Sequence, residues 1–158
     1  MKIALGCDHR GRQAIDELMP YLAGMGHEVV ELGSCDTDGP CDYPDRAWEV
    51  ADAIRRGEAD RGILVCGTGI GMCIAANKVA GVRAALALDE LSARLSRSHN
   101  DANILCMSAD MLGQTLLKRI VETWMETPFE GGRHTRRIAK IHEIEAGAPS
   151  ARLRREQE

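Results

Sequence analysis

Gly62-Ile63-Leu64-Val65-Cys66-Gly67-Thr68-Gly69-Ile70-Gly71 is the stretch on which the fold turns. Its first half is apolar without alternation, the pattern of a strand covered on both faces. Its second half places glycine at 67, 69 and 71, so the backbone can turn tightly and aim several N–H groups at one point. Met72–Val79 then reads as a helix, whose N-terminal dipole attracts an anion or a developing negative charge to that point. Cys66 stands at the lip of the turn, where the same field favours a reactive thiolate.

Other loops of this shape fit less well. A tight connection with no chemistry would ask for nothing beyond these glycines. A phosphatase loop needs Arg six residues after the Cys, and Met72 stands there. A P-loop needs Gly-Lys-Ser/Thr, which Ile70-Gly71-Met72 does not supply. A dinucleotide fingerprint is nearer, because Asp89 lies about twenty residues on. Neither alignment of the glycines, however, puts Gly or Ala at its third position. That reading, an oxidoreductase built on Gly67–Gly71 and Asp89, stays as the runner-up.

Outward from this stretch, Lys2–Cys7, Glu28–Leu32, Val82–Leu88 and Asn103–Met107 read as further strands. Arg12–Met25, Asp45–Arg56, Glu90–Arg97, Met111–Glu126 and His134–Ala146 read as helices, with Pro20 expected to kink the first. Strands alternating with helices predict a Rossmann-like, three-layer α/β fold: a five-stranded parallel sheet with helices on both faces. On this reading residues 1–146 form one domain, and 147–158 are a disordered tail.

Composition excludes several classes. The formal charge of −4 and 3% aromatic content argue against nucleic acid as a partner. No apolar run approaches transmembrane length, and Met1–Gly6 is too short for a signal peptide, so a cytoplasmic, non-membrane protein is expected. The six cysteines (7, 35, 41, 66, 73 and 106) contain no C-x-x-C pair. Reduced, mostly buried thiols and no metal are expected, with pairing or metal binding by Cys35 and Cys41 as the minor alternative. Only Cys66 is placed for chemistry.

In open α/β sheets the ligand site lies at the carboxyl ends of the strands. Those ends offer Asp8-His9, the Cys66–Gly71 loop and Asp89, and the fourth helix leads to His99-Asn100. These groups are expected to converge. His27 and His142 read as ordinary surface or satisfied core groups. Arg133, His134, Arg136 and Arg137 form a basic patch, either a solvated helix face or a phosphate clamp.

Six segments together resemble one known family: Gly6-Cys7-Asp8-His9, Asp42-Tyr43-Pro44, Gly62–Gly71, Ile74-Ala75-Ala76-Asn77-Lys78, Leu95-Ser96-Arg97-Ser98-His99-Asn100 and Glu130-Gly131-Gly132-Arg133-His134. The family is that of the type B ribose-5-phosphate isomerases and their RpiB/LacA/LacB sugar-phosphate relatives, and the likeness spans about residues 1–146. It implies an aldose–ketose isomerase with no metal and no organic cofactor. Cys66 would be the base moving a proton between C1 and C2. N–H groups of Gly67, Gly69, Ile70 and Gly71, with Thr68, would hold the enediolate oxygen. His99, with Asp8, would open the sugar ring. His9, Arg133 and Arg137 would hold the phosphate, and Tyr43 and Asn100 the sugar. The resemblance also implies a homodimer or a dimer of dimers, with sites at the subunit interface and the last helix reaching the partner.

One departure stands out. The family's arginine before the fifth helix, a phosphate ligand, is replaced in Ser108-Ala109-Asp110 by a carboxylate. An anion beside a phosphate is unfavourable. Either Arg133, Arg136 or Arg137 compensates, or the substrate is another sugar, such as allose or galactose 6-phosphate, a tetrulose phosphate or a less charged sugar. A non-catalytic sugar-phosphate sensor is the third reading, and it has no use for Cys66 or His99.

Overall fold

A computed structural model describes residues 1–35 and 41–147. In chain order the elements are β1 (Lys2–Cys7), α1 (Arg12–Gly24), β2 (Glu28–Ser34), α2 (Tyr43–Arg55), β3 (Arg61–Cys66) and α3 (Ile70–Ala76). They continue with β4 (Ala84–Leu86), α4 (Glu90–Asn100), β5 (Ile104–Ser108), α5 (Gln114–Glu126) and α6 (Arg133–Glu145). The strands form one parallel sheet in the order β2-β1-β3-β5-β4. No helix among the described residues is long and apolar enough to cross a membrane.

Alternation along the buried strands sorts side chains into two cores. Ile3, Leu5, Cys7, Ile63, Val65, Leu105 and Met107 face α1 and α5, around the fully buried Trp124. Ala4, Leu64, Cys66, Ile104 and Cys106 face α2 and α3. The period of two along β3 therefore points Cys66 to the α2/α3 side. There α2 comes very close to the sheet. A Cβ on Gly6 or on Gly62 would lie 2.8 Å from a Val50 methyl, so both positions need glycine.

Several boundaries differ from expectation, each for a local reason. α1 runs on through Pro20, because Pro20 and Asp16, four residues back, both lie on the solvent face where the freed carbonyl stays hydrated. α2 starts two residues early, at Tyr43-Pro44, since proline suits the first turn. β4 is only three residues long: it is an edge strand paired with β5 alone. α4 extends to Asn100 and stops at Asp101, which takes the left-handed conformation (φ 45°). The expectation for 147–158 lies almost wholly outside the described residues.

The cysteines need a correction. Cys35 and Cys41 are bonded as a disulfide, their Cα atoms 5.9 Å apart, so the minor alternative is the one observed. Spacing alone did not reveal that the loop brings its two ends together. Cys7, Cys66, Cys73 and Cys106 are free thiols.

Candidate active site

The carboxyl ends of β1 and β3 and the start of α2 make one mouth. Cys66, 4% exposed, closes β3, and its sulfur accepts the N–H of Gly69 at 3.1 Å. Gly69 reaches that position with φ +75°, and a Cβ there would lie 2.9 Å from the Met107 backbone. This tight turn aims a backbone donor at the Cys66 sulfur. Thr68 is exposed, and its hydroxyl accepts the N–H of Ile70 at 3.3 Å. The N–H groups of Gly71 and Met72 fall in the first turn of α3, where no carbonyl of the helix precedes them. The Tyr43 ring lies over Gly71, 2.6 Å from where a Cβ would stand.

Asp8 is buried at the end of β1, and its Oδ1 accepts the N–H groups of Arg10 (2.9 Å) and Gly11 (3.1 Å). One carboxylate oxygen therefore shapes the β1–α1 turn. His9 follows it, exposed at the rim. Asp89 is used differently from the runner-up reading. It is the N-cap of α4, accepting the Ser92 N–H at 2.6 Å in a reciprocal capping box. The dinucleotide reading thereby loses its acidic residue. Cys73 has its pKa drawn down to about 7, chiefly by a hydrogen bond with Cys106. Its sulfur faces the Ala84 carbonyl and not the mouth.

His99 and Asn100 lie elsewhere. A helix that follows a parallel strand must run back along the sheet, and α4, with eleven residues, covers about 16 Å in doing so. Its last turn reaches the amino ends of the strands, where Arg83, just before β4, donates to the Asn100 carbonyl at 3.1 Å. α5 returns the same way, and its Trp124 and Met125 carbonyls accept from Arg61 at the foot of β3. Arg133, His134 and Arg137 then begin α6 at this end. Within one chain His99, Asn100, Arg133 and Arg137 do not converge with Cys66, Asp8, His9 and Tyr43.

They do form a cluster of their own. The rings of His99 and His134 stack with centroids 4.3 Å apart and planes 6° apart. Glu130 Oε2 lies 3.9 Å from Nε2 of each. Burial, then the charges of His99, Arg133 and Arg137, hold the His134 pKa below its ordinary value. The trio of His99, Glu130 and His134 also has a donor set a divalent cation could use, which the sequence analysis did not expect. Arg133, Arg136 and Arg137 are exposed and make no ion pair with a described residue. They are spaced to share one face of α6.

Comparison with known proteins decides the lineage. A family model described as Ribose/Galactose Isomerase matches residues 3–141. The chain belongs to that family. Among its similar proteins is ribose-5-phosphate isomerase B of Escherichia coli, 46% identical over 144 residues, 91% of this chain and 96% of that one. Another is D-erythrulose-4-phosphate isomerase of Pectobacterium atrosepticum, 40% identical over 141 residues, 89% of this chain and 93% of that one. The structure of ribose-5-phosphate isomerase B from Clostridium thermocellum superposes with a TM-score of 0.90 at 47% identity, covering 93% and 99% of the two chains. The geometry of the mouth also exposes a residue the sequence reading passed over. Arg10, next to His9, reaches across the Cys66 loop to Asp110. The one available signal was an unmatched Arg and an unmatched Asp at two strand ends of the same sheet.

Proposed function

We propose that this protein is a cofactor-independent aldose–ketose isomerase that interconverts ribose 5-phosphate and ribulose 5-phosphate through an enediolate. The observation that carries the reading is the Cys66 thiol at the end of the central strand, with the Gly69 N–H on it and further N–H groups beside it. The Cys66 thiolate takes the proton from C2 of the open-chain aldose. The C1 carbonyl oxygen becomes the enediolate oxygen and is met by N–H groups of the Gly67–Gly71 turn, with Thr68 beside them. The thiol, whose hydrogen exchanges with solvent during the lifetime of the enediolate, delivers a proton to C1, and the hydroxyl proton of O2 passes to O1, leaving the carbonyl at C2. Atoms and charge balance without redox change. Tyr43 borders the sugar, and His9 faces the phosphate.

The ring-opening acid–base group comes from a second copy of the chain. His99, Asn100, Arg133 and Arg137 sit at the wrong end of their own sheet, so a two-fold arrangement brings them to a partner's mouth and makes two complete sites. α6 supports this reading. Only His134 and Ile138 of the helix are buried, while Ile141 (43%) and Ile144 (58%) are exposed. α3, beside the mouth, likewise exposes Ile70 (50%) and Ile74 (58%). Unpartnered apolar faces at both half-sites are what such an interface would cover.

A tetrulose phosphate is the second candidate substrate, because the Pectobacterium relative carries that name. The test is proton NMR of the purified protein with ribose 5-phosphate, erythrulose 4-phosphate and a hexose 6-phosphate in deuterated buffer. Conversion with deuterium entering at the exchanged carbon is expected for at least ribose 5-phosphate. Silence on every sugar phosphate would end the isomerase reading in favour of a sensor.

A further inference from the structure

We infer that Arg10 is an anion contact of the catalytic mouth and sets its preference for phosphorylated sugars, with Asp110 as its positioning residue. This rests on the isomerase reading and adds a residue to it. Arg10 lies on the β1–α1 turn and Asp110 follows β5, the two strands that flank β3 in the sheet. Their side chains meet over the β3 loop. Arg10 Nε donates to Asp110 Oδ1 (3.0 Å) and Oδ2 (2.9 Å), and Nη2 donates to Oδ1 (2.7 Å). A Cβ on Gly67 would lie 3.0 Å from both Arg10 Cδ and Asp110 Oδ2. The pair therefore lies directly on the residue after Cys66.

An ordinary exposed ion pair holds two side chains loosely and contributes little. This one is held at more points. Asp110 is fixed by its own N–H to the Gly67 carbonyl at 3.1 Å, and Arg10 by its N–H to Asp8. Engaging Asp110 through Nε and Nη2 leaves the Nη1 edge of the guanidinium without a described acceptor, on a side chain that is 55% exposed. That edge is a planar donor pair of the kind that matches a phosphate. Both Asp110 oxygens receive Arg10 N–H groups, so the carboxylate is turned to the arginine. The anion at position 110 is thus no obstacle to a phosphate. The end of β1 supplies a cation beside it, and Asp110 holds that cation in place.

The test compares wild type with Arg10→Ala, Arg10→Lys, Asp110→Ala and Asp110→Asn, measuring KM for ribose 5-phosphate and inhibition by inorganic phosphate. Loss of one charge-assisted contact predicts a rise of roughly ten- to hundredfold in both constants for Arg10→Ala, falling on KM more than on kcat. Arg10→Lys recovers part of the loss. Asp110→Ala raises both by a smaller factor, and Asp110→Asn, which keeps an acceptor for Arg10, recovers most of it. Arg10→Ala constants within twofold of wild type would overturn the inference. So would no recovery by Asp110→Asn beyond Asp110→Ala. Thermal stabilisation of the full chain by inorganic phosphate separates this from the isomerase reading. Without any turnover by wild type, a phosphate-induced shift abolished by Arg10→Ala still supports the anion contact. A shift equal in both proteins, or absent from wild type, rejects it.

Discussion

The two ends of the sheet were built by different rules. At the carboxyl end, the Cys66 loop, Asp8, His9 and Tyr43 are brought together by the strand-to-turn geometry that every parallel α/β sheet shares. At the amino end, His99, Asn100, Glu130, Arg133 and His134 are brought together by two returning helices and a Gly131-Gly132 turn. The first end holds a base and backbone donors with no free arginine from α6. The second holds the stacked imidazoles, Glu130 and arginines that make no ion pair with a described residue, with no cysteine thiol or glycine-rich turn beside them. On the proposed reading each end supplies half of what an aldose–ketose isomerisation needs, and the difference teaches that groups separated by the length of a sheet require a second copy of the chain to meet.

The largest expected effect falls on the carboxyl end. Cys66→Ala should lower turnover by about 10²- to 10⁴-fold, toward the upper end of the range for loss of a positioned base, while substrate still binds. Deuterium exchange at C2 by NMR measures it, and retained exchange would remove Cys66 from the role.

His99→Ala tests the amino end, with an expected loss of roughly a hundredfold on ribose 5-phosphate. Erythrulose 4-phosphate cannot close a furanose ring, so the same variant should handle it far better. Mixing the Cys66→Ala and His99→Ala proteins gives the sharpest comparison. If sites are shared between copies, random exchange yields mixed dimers with one intact site each and restores about a quarter of wild-type turnover. No recovery would place both ends in separate functions.

A smaller effect is structural. Gly69→Ala puts a Cβ against the Met107 backbone at φ +75° and should cost about 1–3 kcal/mol. Urea unfolding would show it, together with a fall in kcat larger than the stability loss explains, because the donor on Cys66 moves. An unchanged midpoint would show that the turn is looser than its geometry.

The smallest effect is acid sensitivity at the amino end. The folded His134 pKa lies below its ordinary 6.5, so the unfolded chain takes up the proton first as pH falls. Stability should therefore decline from about pH 6.5 downward until the folded-state pKa is passed. His27, also lowered by burial, shares in this slope. His134→Asn should flatten the dependence of the urea midpoint between pH 7.5 and 5.5 without abolishing it. Equal slopes in the two proteins would mean that His134 does not carry it.

Much of this was legible in the residues. Continuous apolar runs at 3–7, 62–66 and 104–107, separated by helical spacing, pointed to a parallel sheet, the pattern of strands covered on both faces. The mouth followed, because Gly67, Gly69 and Gly71 mark a tight turn, and at Gly69 a Cβ would meet the Met107 backbone. Four things were less accessible. The end of α4 was placed too early, since Ser98, His99 and Asn100 have weak helix propensity and only Asp101 shows the true stop. The Cys35–Cys41 bond depends on loop closure, which spacing does not report. Asp89 was weighed as a cofactor ligand when its partner, Ser92, was three residues away. Arg10 and Asp110 are a hundred positions apart, and no local pattern joins them.

The sequence by itself determined the layers, the parallel sheet and the glycine turn after Cys66, because these depend on neighbours along the chain and on hydrophobic period. Only the tertiary structure decided which functional groups share a location. Helix length and direction carried His99 and the α6 arginines to the far end of the sheet. Strand order set Arg10 beside Asp110. Such placements are sums over many residues, and a motif records none of them.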